Sequence, residues 1–155
     1  MKITAQEEYG LRILIRIASC EDRDGMSIPQ LSETEQLSQH YIAKLTRLLR
    51  MAQFIRSTPG NKGGYVLAKP ANAIIIKNVL EGLGTLLDKE FTDENGAVMR
   101  FCTSSVDCSS RSLWQMIQMT VNNLLERITL QDLVSENENN KTIFDFLTSE
   151  FLNYK

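Results

Sequence analysis

The 155-residue chain has little of the chemistry on which hydrolases and zinc enzymes depend, since it contains a single histidine, His40, and only three cysteines. One histidine argues against histidine-rich metal sites and against most hydrolytic constellations. The sequence also lacks a glycine-rich phosphate loop, a nucleophile elbow and a recognisable pair of catalytic carboxylates. These absences predict a protein that is not an enzyme.

Long hydrophobic runs and a secretory leader are absent as well. The apolar run Ile74–Ile76 is far too short to span a bilayer, and the N-terminus turns acidic at Glu7 and Glu8. The odd number of cysteines argues against a structural disulfide framework. We therefore expect a cytoplasmic protein whose cysteines serve metal binding, redox chemistry or simple burial.

Acidic side chains are missing from residues 38–69, although the whole chain carries a net charge of −2. Residues 1–70 hold ten Lys and Arg against seven Asp and Glu, and residues 71–155 hold seven against twelve, which gives +3 and −5. A patch of one sign is typical of proteins that lie on nucleic-acid phosphates, whereas an ordinary solvated helix face usually mixes both signs. The six basic residues of the patch are Lys44, Arg47, Arg50, Arg56, Lys62 and Lys69.

Two tandem helices are predicted in the first third of the chain, after an opening helix. Capping boxes at Thr4–Glu7 and Ser27–Gln30 predict helices that run to about Cys20 and about Glu35. Ser38 is the candidate N-cap of a third helix. That helix has a stripe of period 3.6 on one side and basic residues on the other, which indicates a helix-turn-helix. The stripe is Tyr41, Ile42, Leu45, Leu48, Leu49 and Ala52, and the basic face is His40, Lys44 and Arg47.

A β-hairpin is predicted directly after the basic helix. Phe54–Thr58 reads as a strand, Pro59-Gly60-Asn61 as a turn, and Tyr65–Leu67 as the return strand after Gly63-Gly64. Lys62 lies at the tip, where it can reach a phosphate. The predicted fold class is mainly α with a small β-wing: a winged helix-turn-helix domain plus a long dimerisation helix.

A second, sided helix is predicted near residue 120. Its apolar residues are spaced like a coiled-coil seam, which favours a dimer arm over an ordinary core helix. The seam residues are Trp114, Ile117, Val121, Leu124 and Ile128. We therefore divide the chain into a DNA-binding domain (1–70), a sensor loop with the dimerisation helix (71–134), and a polar linker with a C-terminal amphipathic helix (135–155).

Five segments together resemble the Rrf-two (Rrf2) family of bacterial winged-helix regulators, the IscR, NsrR and CymR type, over about residues 1–134. They are MKITAQEEYGLRILIRIA, SQHYIAKLTRLLR, STPGNKGGYVLAKP, the run Cys102-x5-Cys108-x2-Arg111-x2-Trp114, and LLERITLQDL. The resemblance implies a homodimeric regulator of transcription, expected to be a repressor, that binds a double-stranded DNA operator.

The same resemblance assigns DNA-binding residues by position. Ser38, Gln39, His40 and Tyr41 occupy the turn of the recognition helix that points at base edges. Tyr41 has a second interpretation, as the first core residue of the apolar stripe. Lys44 and Arg47 follow on the exposed face, and the wing contributes Arg56, Asn61 and Lys62.

Many members of the family bind an iron–sulfur cluster through three cysteines in the sensor loop, but here the set is incomplete. Cys102 and Cys108 fill the middle and last positions, and the first falls near Gly96. The resemblance implies that Glu8 of the partner subunit supplies a third ligand, with a 2Fe-2S cluster favoured over 4Fe-4S. The alternatives are a thiol switch between the two cysteines, or a loop that answers to a regulatory protein partner. Cys20 is expected to be a buried small hydrophobe.

A function of another class is a protein-interaction module built on a winged-helix scaffold. The acidic C-terminal half and an apolar helix face could bind a partner protein. That face comprises Ile143, Phe144, Phe146 and Leu147. The all-basic stretch 38–69 argues against this alternative, because an interaction scaffold does not need it.

Overall fold

The computed structural model describes residues 3–60, 63–84 and 105–135, without the side chains of residues 105–111 and of Ser135. Within that part, no helix is long and apolar enough to cross a membrane. The mainly helical architecture with a small sheet confirms the predicted fold class. Its elements are α1 (Ala5–Ala18), α2 (Ile28–Glu35), α3 (Gln39–Met51), β1 (Ile55–Ser57), β2 (Tyr65–Leu67), a 3-10 turn (Ala71–Ala73), α4 (Ile76–Gly82), α5 (Ser105–Arg127) and α6 (Leu130–Ser135).

The first three helices begin where their capping residues predict. The Thr4 side chain accepts from the Glu7 N–H, and the Glu7 carboxylate accepts from the Thr4 N–H at 2.7 Å. Ser27 and Gln30 form the same reciprocal pair at the start of α2. Ser38 Oγ accepts from the third N–H of α3 at 3.2 Å. Each cap satisfies donors that have no partner within the helix.

Two sequence-based expectations about α1 need correction. The helix ends at Ala18, short of Cys20, and the cysteine is half-buried, not a fully buried hydrophobe. The helix α1 is buried on one side only. Ile13, Leu14 and Ile17 face the core, while Glu8, Arg12 and Arg16 are exposed.

One hydrophobic core joins the helix-turn-helix to the later helices. Its fully buried residues come from α1, α2, α3, α4 and α6, so the core continues past residue 70. They include Ile13, Leu14, Leu31, Ile42, Leu45, Leu49, Val79 and Leu130, each 0% exposed. Because these side chains touch in one cluster, α3 is held in a fixed orientation.

The connecting helix α4 begins at Ile76. Ile75 instead forms an antiparallel bridge with Thr129, flanked by hydrogen bonds from Ile76 N–H to the Ile128 carbonyl and from Leu130 N–H to the Ile74 carbonyl. These backbone bonds hold Ile74 and Ile75 extended, so the helix cannot start earlier. They also join the end of α5 to the start of α4.

The turn end of the hairpin is fastened to the loop between α1 and α2. Tyr65 and Met26 exchange two backbone hydrogen bonds, at 2.9 and 3.1 Å. Thr58 Oγ1 donates to the Asp24 carbonyl at 2.9 Å, and Gly64 N–H donates to Thr58 Oγ1 at 3.0 Å. The wing is therefore a two-stranded sheet with a third, single-residue contact that fixes its angle to the helices.

Candidate nucleic-acid interface

The outer face of α3 presents cationic and polar side chains to solvent. His40, Lys44 and Arg47 are all exposed, while Ile42, Leu45 and Leu49 on the opposite side are fully buried. This arrangement confirms the apolar stripe and the exposed basic face read from the sequence. Ser38 and Gln39, at the N-terminal turn, are also exposed. That turn is the part of a recognition helix that reaches base edges.

Tyr41 differs from its neighbours because its ring is engaged within the protein. It is half-buried and meets the Tyr9 ring of α1 edge-on, with ring centroids 6.2 Å apart and an interplanar angle of 83°. The Lys44 ammonium lies 5.9 Å from the Tyr41 ring centroid. Tyr41 therefore packs against the core and supports a basic residue of the outer face at the same time.

The basic residues in the described part of 38–69 are not neutralised by carboxylates. In the described part of the chain, Arg12, Arg16 and Lys77 form ion pairs with carboxylates, and all three lie outside residues 38–69. The exposed residues Lys44, Arg47, Arg50, Arg56 and Lys69 have no such partner there. Side chains of this kind can displace the cations condensed on DNA phosphates, which favours binding at low salt.

The wing is described up to its tip. Arg56 is exposed on β1, where it pairs with Val66 in the antiparallel ladder. Gly60 and Gly63 have positive φ, which fits the predicted turn. Asn61 and Lys62 lie outside the described residues, so their contacts with DNA stay a prediction.

The sequence analysis did not predict the ion pairs that hold α1 against α2. Glu35, at the end of α2, is buried with 1% of its side chain exposed. Arg12 forms an ion pair with it at 2.7 Å, and Arg16 Nε donates to its other oxygen at 2.7 Å. Two arginines spaced i, i+4 on α1 were the available signal, since they lie on one side of that helix. The pairs hold the helix before α3 in place.

The proposed cluster ligands are only partly within the described structure. Glu8 is exposed on α1. Cys102 lies outside the described residues, and Cys108 lies in α5 with its side chain outside them. No group of three His, Cys, Asp or Glu that could hold a metal occurs among the residues searched, those that the structure describes.

The donor set also fails to complete a four-ligand cluster. Cys102, Cys108 and a partner's carboxylate give three donors, and such clusters take four. Cys20 does not supply the fourth, because twelve residues separate it from Glu8, about 18 Å at helical rise.

The middle of α5 exposes a large apolar surface. Trp114 and Ile117 of the predicted seam are 63% and 42% exposed, and Val121, Leu124 and Ile128 are half-buried. Other apolar residues outside the seam are also exposed: Leu113, Met116 and Met119. The sequence-based prediction did not include these three residues, which are not among the five of the predicted seam. Exposed apolar side chains in this number are typical of a helix that contacts another protein.

These features define a winged helix-turn-helix regulator of transcription, not an enzyme. Residues 3–136 match the Rrf2 family, described as "Iron-dependent Transcriptional regulator". The chain belongs to the Rrf2 family.

Its relatives include two bacterial proteins that match nearly end to end. The chain is 29% identical to the HTH-type transcriptional regulator CymR of Bacillus subtilis over 147 residues, which is 94% of this chain and 99% of CymR. It is 32% identical to Protein rrf2 of Nitratidesulfovibrio vulgaris over 136 residues, 88% of this chain and 89% of that protein.

Solved structures agree with these sequence matches. The structure of B. subtilis CymR, titled the global cysteine regulator, has a TM-score of 0.71 at 30% identity and covers 87% of this chain and 97% of its own. The oxidized form of Staphylococcus aureus CymR has a TM-score of 0.67 at 29% identity, covering 86% and 96%. The family identification therefore has support from both sequence and structure.

Proposed function

We propose that this protein is a homodimeric, cytoplasmic repressor that inserts α3 into the major groove of an operator and lays the wing on the adjacent backbone. The observation that carries the proposal is the outer face of α3, where His40, Lys44 and Arg47 are exposed and the basic side chains lack a described carboxylate partner. Family membership supports DNA as the partner. An interaction scaffold has no use for such a face.

Separate roles follow from where the side chains lie. Ser38, Gln39 and His40 are exposed at the N-terminal turn of α3, so we assign them to base edges. Lys44, Arg47 and Arg56 are exposed farther along the helix and on β1, so we assign them to phosphates. Asn61 and Lys62 complete the wing in this proposal. Phosphate contacts fix position on the duplex, and base contacts give sequence preference.

Replacing Lys44 and Arg47 together by alanine should weaken binding to every duplex by a similar factor. Each lost phosphate contact lowers the slope of log affinity against log salt by about 0.9, so the double variant should lose about 1.8 of that slope. Fluorescence anisotropy with a labelled duplex of random sequence, titrated between about 50 and 200 mM salt, measures this. Lys77→Ala is the control for loss of a positive charge outside the α3 face, because its ammonium is paired with Glu126 at 2.7 Å. An unchanged slope in the double variant would remove α3 from the interface.

The dimer in this proposal is formed by α5. The exposed Trp114 and Ile117, continued by the half-buried Val121 and Leu124, form a stripe long enough for two copies of α5 to pack together. A two-fold protein reads two half-sites about one helical turn apart. The alternative of a protein-interaction module predicts no DNA binding at low salt, which the same titration detects.

We further propose that the protein senses redox, iron–sulfur or nitrosative status through Cys102 and Cys108. A cluster, 2Fe-2S in preference to 4Fe-4S, with Glu8 of the other subunit as third ligand, is the first candidate. The exposure of Glu8 and the family description as iron-dependent support it. The incomplete donor set favours the second candidate, a thiol switch between the two cysteines, and a relative is known in an oxidized form. A regulatory partner protein is the third.

Protein purified without oxygen separates these candidates. Under the cluster proposal, the wild-type protein absorbs visible light and carries stoichiometric iron and sulfide, and Cys102→Ala and Glu8→Ala lose both. Under the thiol proposal, the protein is colourless, and oxidant joins Cys102 to Cys108, which mass spectrometry detects as a loss of two hydrogens. Cys20→Ala is the control, since that thiol belongs to neither proposal. A colourless protein that does not oxidise would contradict both and leave a partner protein.

A further inference from the structure

We infer that Tyr9, which lies on α1 outside the helix-turn-helix, is a positioning residue for DNA binding. Its ring supports Tyr41, and Tyr41 supports the Lys44 ammonium on the outer face of α3. Tyr9 is not among the DNA-binding residues assigned above. The inference rests on the proposed function, because it concerns how the DNA-binding face is held.

The contacts form a continuous row from the core to the surface. Arg12 lies 5.5 Å from the Tyr9 ring centroid and is paired with the buried Glu35 at 2.7 Å. Tyr9 meets Tyr41 at 6.2 Å in a T-shaped arrangement, which is a favourable geometry for two aromatic rings. Lys44 then lies 5.9 Å from the Tyr41 centroid, within range of a cation–π contact.

The inner end of the row, at Arg12 and Glu35, is fixed by ion pairs. The outer end, at Tyr41 and Lys44, is held as a result. Glu35 is buried and contacts two arginines of α1. The same helix is fastened to the end of α4, where Gln6 Nε2 donates to the Leu83 carbonyl at 2.6 Å. Gly10 also lies directly against Leu83, because a Cβ there would come within 2.6 Å of its side chain. The helix α1, which carries Tyr9, is therefore held rigidly against α2 and the end of α4.

Lys44 gains from such support because a free lysine side chain has many rotamers. Ordering it on DNA costs conformational entropy, and a side chain already held over a ring loses less. The Lys44 ammonium lies against the Tyr41 ring, and the Tyr41 ring packs against the Tyr9 ring. Removal of the Tyr9 ring therefore loosens Tyr41 and, through it, Lys44. DNA affinity should fall even though Tyr9 itself does not touch DNA.

A double-mutant cycle tests this inference. Tyr9→Leu and Lys44→Ala are made singly and together, and each protein is titrated by anisotropy with a labelled duplex that the wild-type protein has enriched from a random pool. We expect Tyr9→Leu to weaken binding about two- to fivefold, as for loss of a cation–π support, and to have no effect once Lys44 is alanine. Tyr9→Phe keeps the ring and should bind like the wild-type protein.

A second cycle gives the matched control. Lys69 lies 6.0 Å from the Phe54 ring centroid, a similar contact outside this row. In a Lys69→Ala background, Tyr9→Leu should retain its full effect. If Tyr9→Leu does not fold, Tyr9→Met replaces it, since methionine adapts to irregular gaps.

The outcomes separate the inference from the function on which it rests. An effect of Tyr9→Leu that is equal in the Lys44→Ala and wild-type backgrounds, with wild-type binding intact, would overturn the inference alone. Absence of DNA binding by the wild-type protein would overturn the proposed function together with the inference. Loss of the effect only in the Lys44→Ala background, with rescue by Tyr9→Phe, supports it.

Discussion

Ile117→Asp should convert the protein from a dimer into a monomer and weaken its binding to a selected DNA site by more than about a hundredfold. Ile117 is the second of the five residues of the predicted seam and is 42% exposed in the single chain. A two-fold interface places the same residue on both subunits, so one substitution introduces two carboxylates that lose their water. Sedimentation velocity gives the mass in solution, and anisotropy gives the DNA affinity.

Met119→Asp is the matched control for the seam. Met119 is on the same helix and is 65% exposed, but two positions along the helix turn it to the other side of α5 from Ile117. It should leave the dimer and DNA binding unchanged. A Met119→Asp protein that is monomeric while Ile117→Asp stays dimeric would place the interface on the wrong face of α5.

Gly25→Ala should destabilise the protein by about 3 kcal/mol or more and should weaken DNA binding through the wing. Gly25 has a φ of +71°, and a Cβ there would lie 2.0 Å from the Tyr65 carbonyl oxygen. That oxygen accepts the hydrogen bond from Met26 N–H which fastens the hairpin to the loop. Because the obstacle is backbone, the two segments must separate to admit a methyl group. Urea unfolding measures the stability change.

Gly63→Ala is the control that separates the clash with the Tyr65 carbonyl oxygen from the cost of a positive φ. Gly63 also has positive φ, +41°, but a Cβ there would meet nothing within 4 Å. We expect only the conformational cost of the left-handed region, about 1–2 kcal/mol. Equal destabilisation by the two substitutions would show that the contact between the loop and the hairpin is not tight.

The local features of the fold were predictable because they depend on residues close in sequence. A capping box needs four residues, so Thr4–Glu7 and Ser27–Gln30 were read correctly. The stripe of α3 needs only helical spacing, and Ile42, Leu45 and Leu49 are indeed fully buried. The turn with Gly60 and Gly63 was likewise given by residue type.

Contacts between distant segments could not be predicted in this way. The edge-on pair of Tyr9 and Tyr41 depends on how α1 packs across α3, which neither helix encodes alone. The extended Ile75 depends on its bridge to Thr129, a residue distant in sequence, since the local run Ile74–Ile76 suits a strand as well as a helix. Tertiary hydrogen bonds override local propensity in such places.

The candidate site likewise has a part set by local sequence, which could be predicted, and a part set by distant segments, which could not. The exposed basic face of α3 follows from spacing on one helix, and the structure places Lys44 and Arg47 as expected. A cluster site would need side chains from a loop and from α1 of a second subunit. No spacing rule in one chain fixes such a combination, so Glu8, Cys102 and Cys108 remain a proposal.

Selection of DNA duplexes from a random pool by the purified wild-type protein tests the central claim most directly. A dimer that reads DNA through α3 should enrich an inverted repeat with half-sites about one helical turn, 10–10.5 base pairs, apart. Affinity for the enriched duplex should then fall steeply with added salt. A pool that shows no enrichment, or binding that does not weaken with salt, would contradict the assignment of the α3 face to DNA.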